Sequence, residues 1–234
     1  MFCISTFCFI AILVCIWVRG IERRPLRALG FYKERWWWEL VKGLGLVLAL
    51  FALVLGLLTL LGAYRLERMD FHPYAIGFAI LIFPLWLLQG GTEELVMRGW
   101  LLPIMAARSN RIIAIAVSSS LFAIMHFLNR GFSWPAFINL LLFGLLMAFY
   151  LLKTDNIWGV AGIYATWNFA QGNIFGLAVS GQGTGTSLTT FLPRPVPNWL
   201  TGGQFGIEAS VVISLVLLAG IAYLAQQLKD EDES

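Results

Sequence analysis

The chain has 234 residues, of which 59% are hydrophobic and only 12% are charged, and its mean hydropathy is +0.79. This composition excludes an ordinary soluble domain and predicts a polytopic helical membrane protein. The net charge is only +3. Because seven of the 16 basic residues cluster in one loop between apolar runs, we expect no nucleic-acid partner.

Apolar runs long enough to cross a bilayer occur seven times along the chain. They cover residues 2–18, 40–63, 74–90, 112–128, 135–152, 158–179 and 209–227. The third run could extend to residue 106, either as one long helix or as two segments broken at Gly90-Gly91, with Thr92 capping the second. We therefore predict an all-α transmembrane bundle of seven or eight spans that encloses a polar cavity at the middle of the bilayer.

Basic residues are concentrated between the first two runs, which places loop 19–42 on the cytoplasmic side. They are Arg19, Arg23, Arg24, Arg27, Lys33, Arg35 and Lys42. Alternation from this loop puts the N-terminus outside and the C-terminus in the cytoplasm. We expect a multi-pass protein of the plasma membrane, in contact with membrane lipids.

Three parts of the chain are expected to differ in role. Residues 1–73 hold two N-terminal spans and the basic loop 19–42. Residues 74–180 carry the polar motifs described below and form the predicted functional core. Residues 181–234 form an outer loop, the last span and a short acidic tail.

The strongest functional signal is a group of three ionisable residues in a very apolar stretch: Glu93, Glu94 and Arg98. Each such residue costs ~2.5–3.5 kcal/mol to insert at membrane depth, so it persists when it is paired, hydrated or used. Glu94 and Arg98 are four residues apart and share one helix face. We predict that they form a structural ion pair and that Glu93 faces the cavity.

Polar residues from three predicted helices reach a similar depth. In a hairpin that turns at residues 108–110, Glu93 and His126 both lie roughly 18–21 Å from the cytoplasmic boundary. Asn168 lies at roughly 16 Å by the same count, on the helix that also carries Tyr164. Each residue alone could serve helix packing, as an ion pair or an interhelical hydrogen bond. Their common depth favours a shared site.

The motifs that contain these residues resemble those of the CPBP family of intramembrane proteases. The motifs are Glu93-Glu94-Leu-Val-Met-Arg98, Phe122-Ala-Ile-Met-His126 and Trp167-Asn168-Phe169-Ala-Gln-Gly172. That family includes the type II CAAX prenyl endopeptidases and bacterial relatives tied to bacteriocin self-immunity. The resemblance covers roughly residues 85–180. In one place the chain departs from it, because Tyr164 stands where the family commonly has the histidine of H-x-x-x-N.

The resemblance implies an intramembrane endopeptidase that acts through an activated water. Glu93 would be the general base, His126 its partner in activating the water, and Asn168 the donor that stabilises the oxyanion. The substrate would be a peptide or protein, which could be lipidated or embedded in the membrane. Supporting roles fall to Glu94, Arg98, Phe122 and Tyr164.

Whether a metal takes part is left open by the sequence. A divalent ion such as zinc would have Glu93 and His126 as ligands, but catalytic zinc usually takes three protein ligands. Tyr164 is not an ordinary zinc ligand, and the chain has no H-E-x-x-H motif. A water activated by glutamate without metal is equally compatible.

Two non-proteolytic functions compete with this hypothesis. The tyrosine in the histidine place is compatible with a non-catalytic scaffold or bacteriocin-immunity factor built on the same fold. A proton-coupled carrier that uses Glu93 and His126 as relay groups is the third alternative, and the lack of inverted repeats argues against it.

Overall fold

The computed structural model describes residues 4–32, 34 and 36–232, and the all-α prediction is confirmed for this part of the chain. Lys33 and Arg35 of the predicted basic loop lie outside the described residues. The α-helices are α1 Ile4–Ile16, α2 Trp36–Leu60, α3 Pro73–Glu94, α4 Leu102–Arg108, α5 Arg111–Ile124, α6 Trp134–Thr154, α7 Ile157–Phe169, α8 Asn198–Thr201 and α9 Val211–Asp232. Wider π-helical turns follow three of them, at Trp17–Ile21, Leu95–Leu101 and Ala170–Ile174, and 3-10 turns lie at Leu26–Leu29 and Ile207–Ala209.

Each of the seven predicted apolar runs overlaps one of the longer helices, but the helices differ in how well they could span a bilayer. Within the described residues, four are long and apolar enough by length and composition, and two apolar helices are shorter. The four are Trp36–Leu60, Pro73–Arg108, Trp134–Thr154 and Val211–Asp230, and the two are Ser5–Ile21 and Arg111–Ile124. The seventh, α7, is almost completely buried, because α2, α3 and α6 pack around it.

Glycines allow α2 to pack directly against α7. A Cβ atom on Gly43 would lie 2.9 Å from the carbonyl oxygen of Gly159, and one on Gly162 would lie 2.8 Å from that of Leu40. Small residues let membrane helices approach closely in this way. Further along the same two helices, the rings of Phe51 and Trp167 meet edge-on, with their centres 5.4 Å apart.

The third apolar run is one continuous helix rather than two segments. Helix α3 passes through the π turn into α4, so that Pro73–Arg108 spans 36 residues. Gly90 lies inside this helix and serves packing instead of breaking it. A Cβ atom there would lie 3.0 Å from the backbone nitrogen of Ala165 in α7. Thr92 caps no helix, and its hydroxyl donates to the carbonyl oxygen of Phe7.

A short antiparallel ribbon, which the sequence analysis does not predict, joins distant parts of the chain. Strand β1, Tyr64–Met69, pairs with β2, Thr189–Pro193. The ribbon brings together Arg65 and Arg68 of β1 with the residue that directly follows β2, Arg194. These three arginines therefore share one end of the bundle.

Candidate active site

Glu94 and Arg98 form the predicted ion pair. Arg98 Nη1 donates to Glu94 Oε1 at 2.9 Å, and both side chains are fully buried. Arg98 Nη2 donates to the carbonyl oxygen of Gly144 at 3.0 Å, and the guanidinium lies 4.9 Å from the centre of the Phe122 ring. This pair fastens α3 to α6 through the bundle interior. Its role is therefore structural.

Glu93 points to a different face of the helix and is only half-buried. Its Oε1 atom accepts a hydrogen bond from Gln89 Nε2 at 3.1 Å, and its Oε2 atom accepts one from the Tyr164 hydroxyl at 2.9 Å. A carboxylate with two such donors keeps further acceptor positions. Tyr164, the departure from the family motif, thus links α7 to the proposed general base.

His126 lies in the turn after α5 and not inside a helix. The prediction of a helical run over 112–128 is wrong at its end, since α5 stops at Ile124 and the chain turns toward α6 through Gly131, whose φ is +73°. His126 Nδ1 lies 2.8 Å from the carbonyl oxygen of Phe122. Because a carbonyl only accepts, Nδ1 carries the proton, and the lone pair of Nε2 is left to accept one.

Asn168 follows Tyr164 by one turn of α7 and is buried. Its Oδ1 atom has no hydrogen-bond partner within the described part of the chain. A buried polar atom without a partner costs ~1–3 kcal/mol and needs an explanation. Within the same part of the chain, Glu94 Oε2 and Arg98 Nε are also without partners, so this feature alone does not mark a functional residue. A half-turn about χ2 would present the N–H of the same amide at this position.

A wall of two aromatic rings, Phe122 and Tyr164, connects the elements that carry Glu93 and His126. The ring centre of Phe122 lies 5.6 Å from that of Tyr164 and 5.0 Å from that of His126. Glu93 joins this wall through the Tyr164 hydroxyl. Among the described residues, no hydrogen bond or ion pair joins Glu93 directly to His126.

A small cavity of about 20 Å³ adjoins the aromatic wall, which is space for about one water molecule. Its polar lining comes from Asn139, Tyr164 and Glu208, and Phe122 and Phe143 supply apolar walls. The sequence analysis predicts a polar cavity that Glu93 faces. This cavity is mostly apolar instead, because aromatic side chains fill the space between the helices, and its lining does not include Glu93, His126 or Asn168.

Glu208 is a site residue that sequence reasoning missed. It lies in the turn Ile207–Ala209 and is buried. Ser180 donates to both of its oxygens, through the backbone N–H at 2.5 Å and through the hydroxyl at 3.2 Å. Burial raises the pKa of Glu208, while the hydrogen bonds from Ser180 oppose the rise. A lone acid just before the last apolar run was the available signal.

The residues present do not form a usual catalytic zinc site. Over residues 4–32, 34 and 36–232, no three His, Cys, Asp or Glu side chains come close enough together to hold a metal ion. Tyr164 occupies one oxygen of Glu93, which is one of the two predicted ligands. The chemistry below is therefore assigned to side chains alone.

Residues 75–170 match a protein-family model described as type II CAAX prenyl endopeptidase Rce1-like. The matched region contains Glu93, His126 and Asn168. It confirms the family resemblance predicted from the motifs and supports, at the level of the family, a CAAX-protease-like function in a membrane protein. No curated protein and no solved structure matches the chain.

Proposed function

We propose that this protein is an intramembrane endopeptidase. The match of residues 75–170 to the type II CAAX prenyl endopeptidase model supports this proposal. One observation carries the proposal: Glu93 is half-buried and held by exchangeable hydrogen bonds, while its neighbour Glu94 is locked in a buried ion pair. A carboxylate held in this way can orient and deprotonate a water molecule.

The proposed reaction uses side chains of three structural elements. Glu93 accepts one proton of a water whose oxygen attacks the peptide carbonyl carbon, and Asn168 donates an N–H to the oxyanion that forms. When the intermediate collapses, the C–N bond breaks and Glu93 passes its proton to the leaving amine. His126 Nε2 takes the remaining hydroxyl proton, so that the acid product leaves as a carboxylate.

Tyr164 has a positioning role in this mechanism. Its hydroxyl stays protonated and fixes Glu93 Oε2, which leaves the other lone pairs of the carboxylate for the water. Its ring is itself held between Phe122 and Phe143, with ring centres 5.6 and 5.4 Å away. A tyrosine in the histidine place is therefore compatible with activity.

The test uses purified protein in liposomes with a peptide library that includes matched prenylated and unprenylated C-terminal peptides. We expect the wild type to cleave at least one peptide and Glu93→Ala to lose this cleavage. Glu67→Gln is the control, because Glu67 is exposed on β1 and pairs only at the surface with Arg65. Equal cleavage by wild type and Glu93→Ala, or no cleavage by either, would overturn the proposal.

A non-catalytic scaffold or immunity factor is the second candidate, and the Tyr164 departure favours it. Complementation separates the two functions, because binding does not need the proton-transfer groups. Full rescue of a deletion phenotype by the double variant Glu93→Gln, His126→Ala would favour the scaffold, whereas loss of rescue with normal expression favours the protease.

We also propose that the protein lies in the plasma membrane with its C-terminus in the cytoplasm. The end of the bundle that carries Arg108, Arg111 and Lys153 would then face the cytoplasm. A reporter fused after α9 that is active only in the cytoplasm tests this orientation, and activity of a periplasmic or extracellular reporter there would contradict it.

A further inference from the structure

A second buried carboxylate, Glu208, lies beside the aromatic wall of Phe122 and Tyr164. Glu208 lines the small cavity together with Tyr164 and Phe122, yet it belongs to a segment well outside residues 75–170. No motif of the sequence includes it. A buried acid in this position needs an explanation, because burying a charge is costly unless it is paired or hydrogen-bonded.

The backbone around Glu208 is firmly held. Asn139 of α6 donates through Nδ2 to the carbonyl oxygens of Glu208 and Ser210, at 2.7 and 2.9 Å. Asn139 Oδ1 in turn accepts from the Ser214 hydroxyl at 2.6 Å. All three contacts join the start of the last helix to the centre of the bundle, so the position of residue 208 is fixed.

The side chain of Glu208 is held by a tight turn. Ser180 and Gly181 both have positive φ, +46° and +80°, between the bridged residues Val179 and Gln182. A left-handed conformation is uncommon for a residue other than glycine, and it is kept where the surroundings require it. Here it lets Ser180 donate from both its backbone and its hydroxyl to the carboxylate.

This segment packs against the turn that carries His126. A Cβ atom on Gly131 would lie 2.7 Å from the backbone nitrogen of Phe205, and the rings of Phe132 and Phe205 meet at 6.3 Å. Phe122 lines the same small cavity as Glu208, and the centre of its ring lies 5.0 Å from that of His126. Glu208 and His126 are therefore neighbours through two packed loops.

We infer that Glu208 is a positioning residue for His126, whose carboxylate stabilises the imidazolium that forms during peptide cleavage. The inference rests on the proposed function. In the collapse step His126 Nε2 gains a proton and becomes positive, while Glu208 neither gains nor loses one. A nearby fixed negative charge lowers the energy of this state, as a buried aspartate does for the histidine of a Ser-His-Asp triad.

The chain offers a substitution that removes the charge and keeps the shape. In Glu208→Gln, the amide oxygen can still accept from the Ser180 N–H, and the amide N–H can donate to the Ser180 hydroxyl, which rotates freely. We expect this variant to fold with an unchanged melting temperature, to keep KM, and to lose roughly 10- to 100-fold in kcat, in the range of a single electrostatic contact in an active site. The pH profile of kcat should also change shape.

Three further proteins complete the experiment: Glu208→Asp, which keeps the charge; Glu67→Gln, which removes an exposed one; and Glu93→Ala. Partial recovery of kcat in Glu208→Asp, with Glu67→Gln equal to wild type, supports the inference. If Glu93→Ala abolishes cleavage but Glu208→Gln has wild-type kcat and pH profile, the role of Glu208 is overturned and the protease proposal stands. If Glu93→Ala leaves cleavage intact, the proposed function itself fails.

Discussion

Two adjacent carboxylates on one helix have opposite surroundings. Glu94 is fully buried and bound to a guanidinium that is itself fixed to the backbone of α6. Glu93 is half-buried and bound to a neutral amide and a neutral hydroxyl. The side chains are identical in chemistry, so the difference arises only from the 100° rotation between successive helix positions.

This difference shows how one motif can supply both rigidity and reactivity. A charge with a permanent buried partner contributes to holding helices together, because removal of the partner leaves an isolated charge in an apolar interior. A charge with neutral donors can exchange them for water or substrate at lower cost. The substitutions below separate the two roles.

The largest effect on cleavage is expected when Glu93 is replaced by glutamine, and the same replacement at Glu94 serves as the comparison. Glu93→Gln should reduce cleavage by about 10²- to 10⁴-fold, the usual contribution of a general base, with little change in melting temperature. Glu94→Gln should lower the melting temperature clearly. Peptide cleavage and thermal unfolding of both variants are measured in the same detergent. If both variants lose stability but keep activity, Glu93 and Glu94 do not have the different roles assigned to them.

Arg98→Met should be the most destabilising single change. It leaves the buried carboxylate of Glu94 without its partner, and breaking a buried pair in this way costs ~3–5 kcal/mol. The matched control is Arg65→Met, because the Arg65–Glu67 pair is about half exposed and such pairs are worth ~0–1 kcal/mol. Unfolding in mixed micelles measures both free energies, and similar values for the two variants would contradict the structural role of the buried pair.

Tyr164→Phe tests the link between α7 and Glu93. The ring keeps its packing while the hydroxyl that donates to Oε2 is lost. A hydrogen bond to a charged group is worth ~1.5–3 kcal/mol, so cleavage should fall about 10- to 100-fold. Tyr74→Phe, at an exposed tyrosine of α3, should have no effect. Wild-type cleavage by Tyr164→Phe would show that this hydroxyl does not position the base.

Gly90→Ala is expected to have the smallest effect of the four. The added methyl group meets the backbone of Ala165 at 3.0 Å and forces α3 and α7 apart, at a cost of ~1–3 kcal/mol. Gly77→Ala is the control in the same helix, since a Cβ atom there has no neighbour within 4 Å. If both variants have the wild-type melting temperature, close packing at Gly90 does not position the helices.

The sequence predicts features of the site that depend on local spacing. The Glu94–Arg98 pair follows from positions four apart on a helix, and the hairpin turn at 108–110 matches the end of α4 at Arg108 and the start of α5 at Arg111. Both depend only on helix geometry. Each of the seven apolar runs likewise corresponds to a helix of at least 13 residues, but only four helices of the described residues are long and apolar enough to cross a bilayer.

Features that depend on contacts between distant segments could not be predicted. The hydrogen bond between Tyr164 and Glu93 requires a particular rotation of α7 against α3, which the close contact at Gly90 sets. Glu208 approaches the site only because its segment packs against the turn after α5. The strand Tyr64–Met69 gains its partner from residues more than a hundred positions later.

The packing of α2 against α7 limits how far this protein can be shortened. Residues 75–170 exclude α2, although Gly43 and Phe51 cover the central helix that carries Tyr164 and Asn168. A recombinant fragment trimmed to the matched region would uncover the face of α7 that α2 now shields. Minimal versions for crystallisation or engineering therefore need to start upstream of Trp36 and retain the complete second helix.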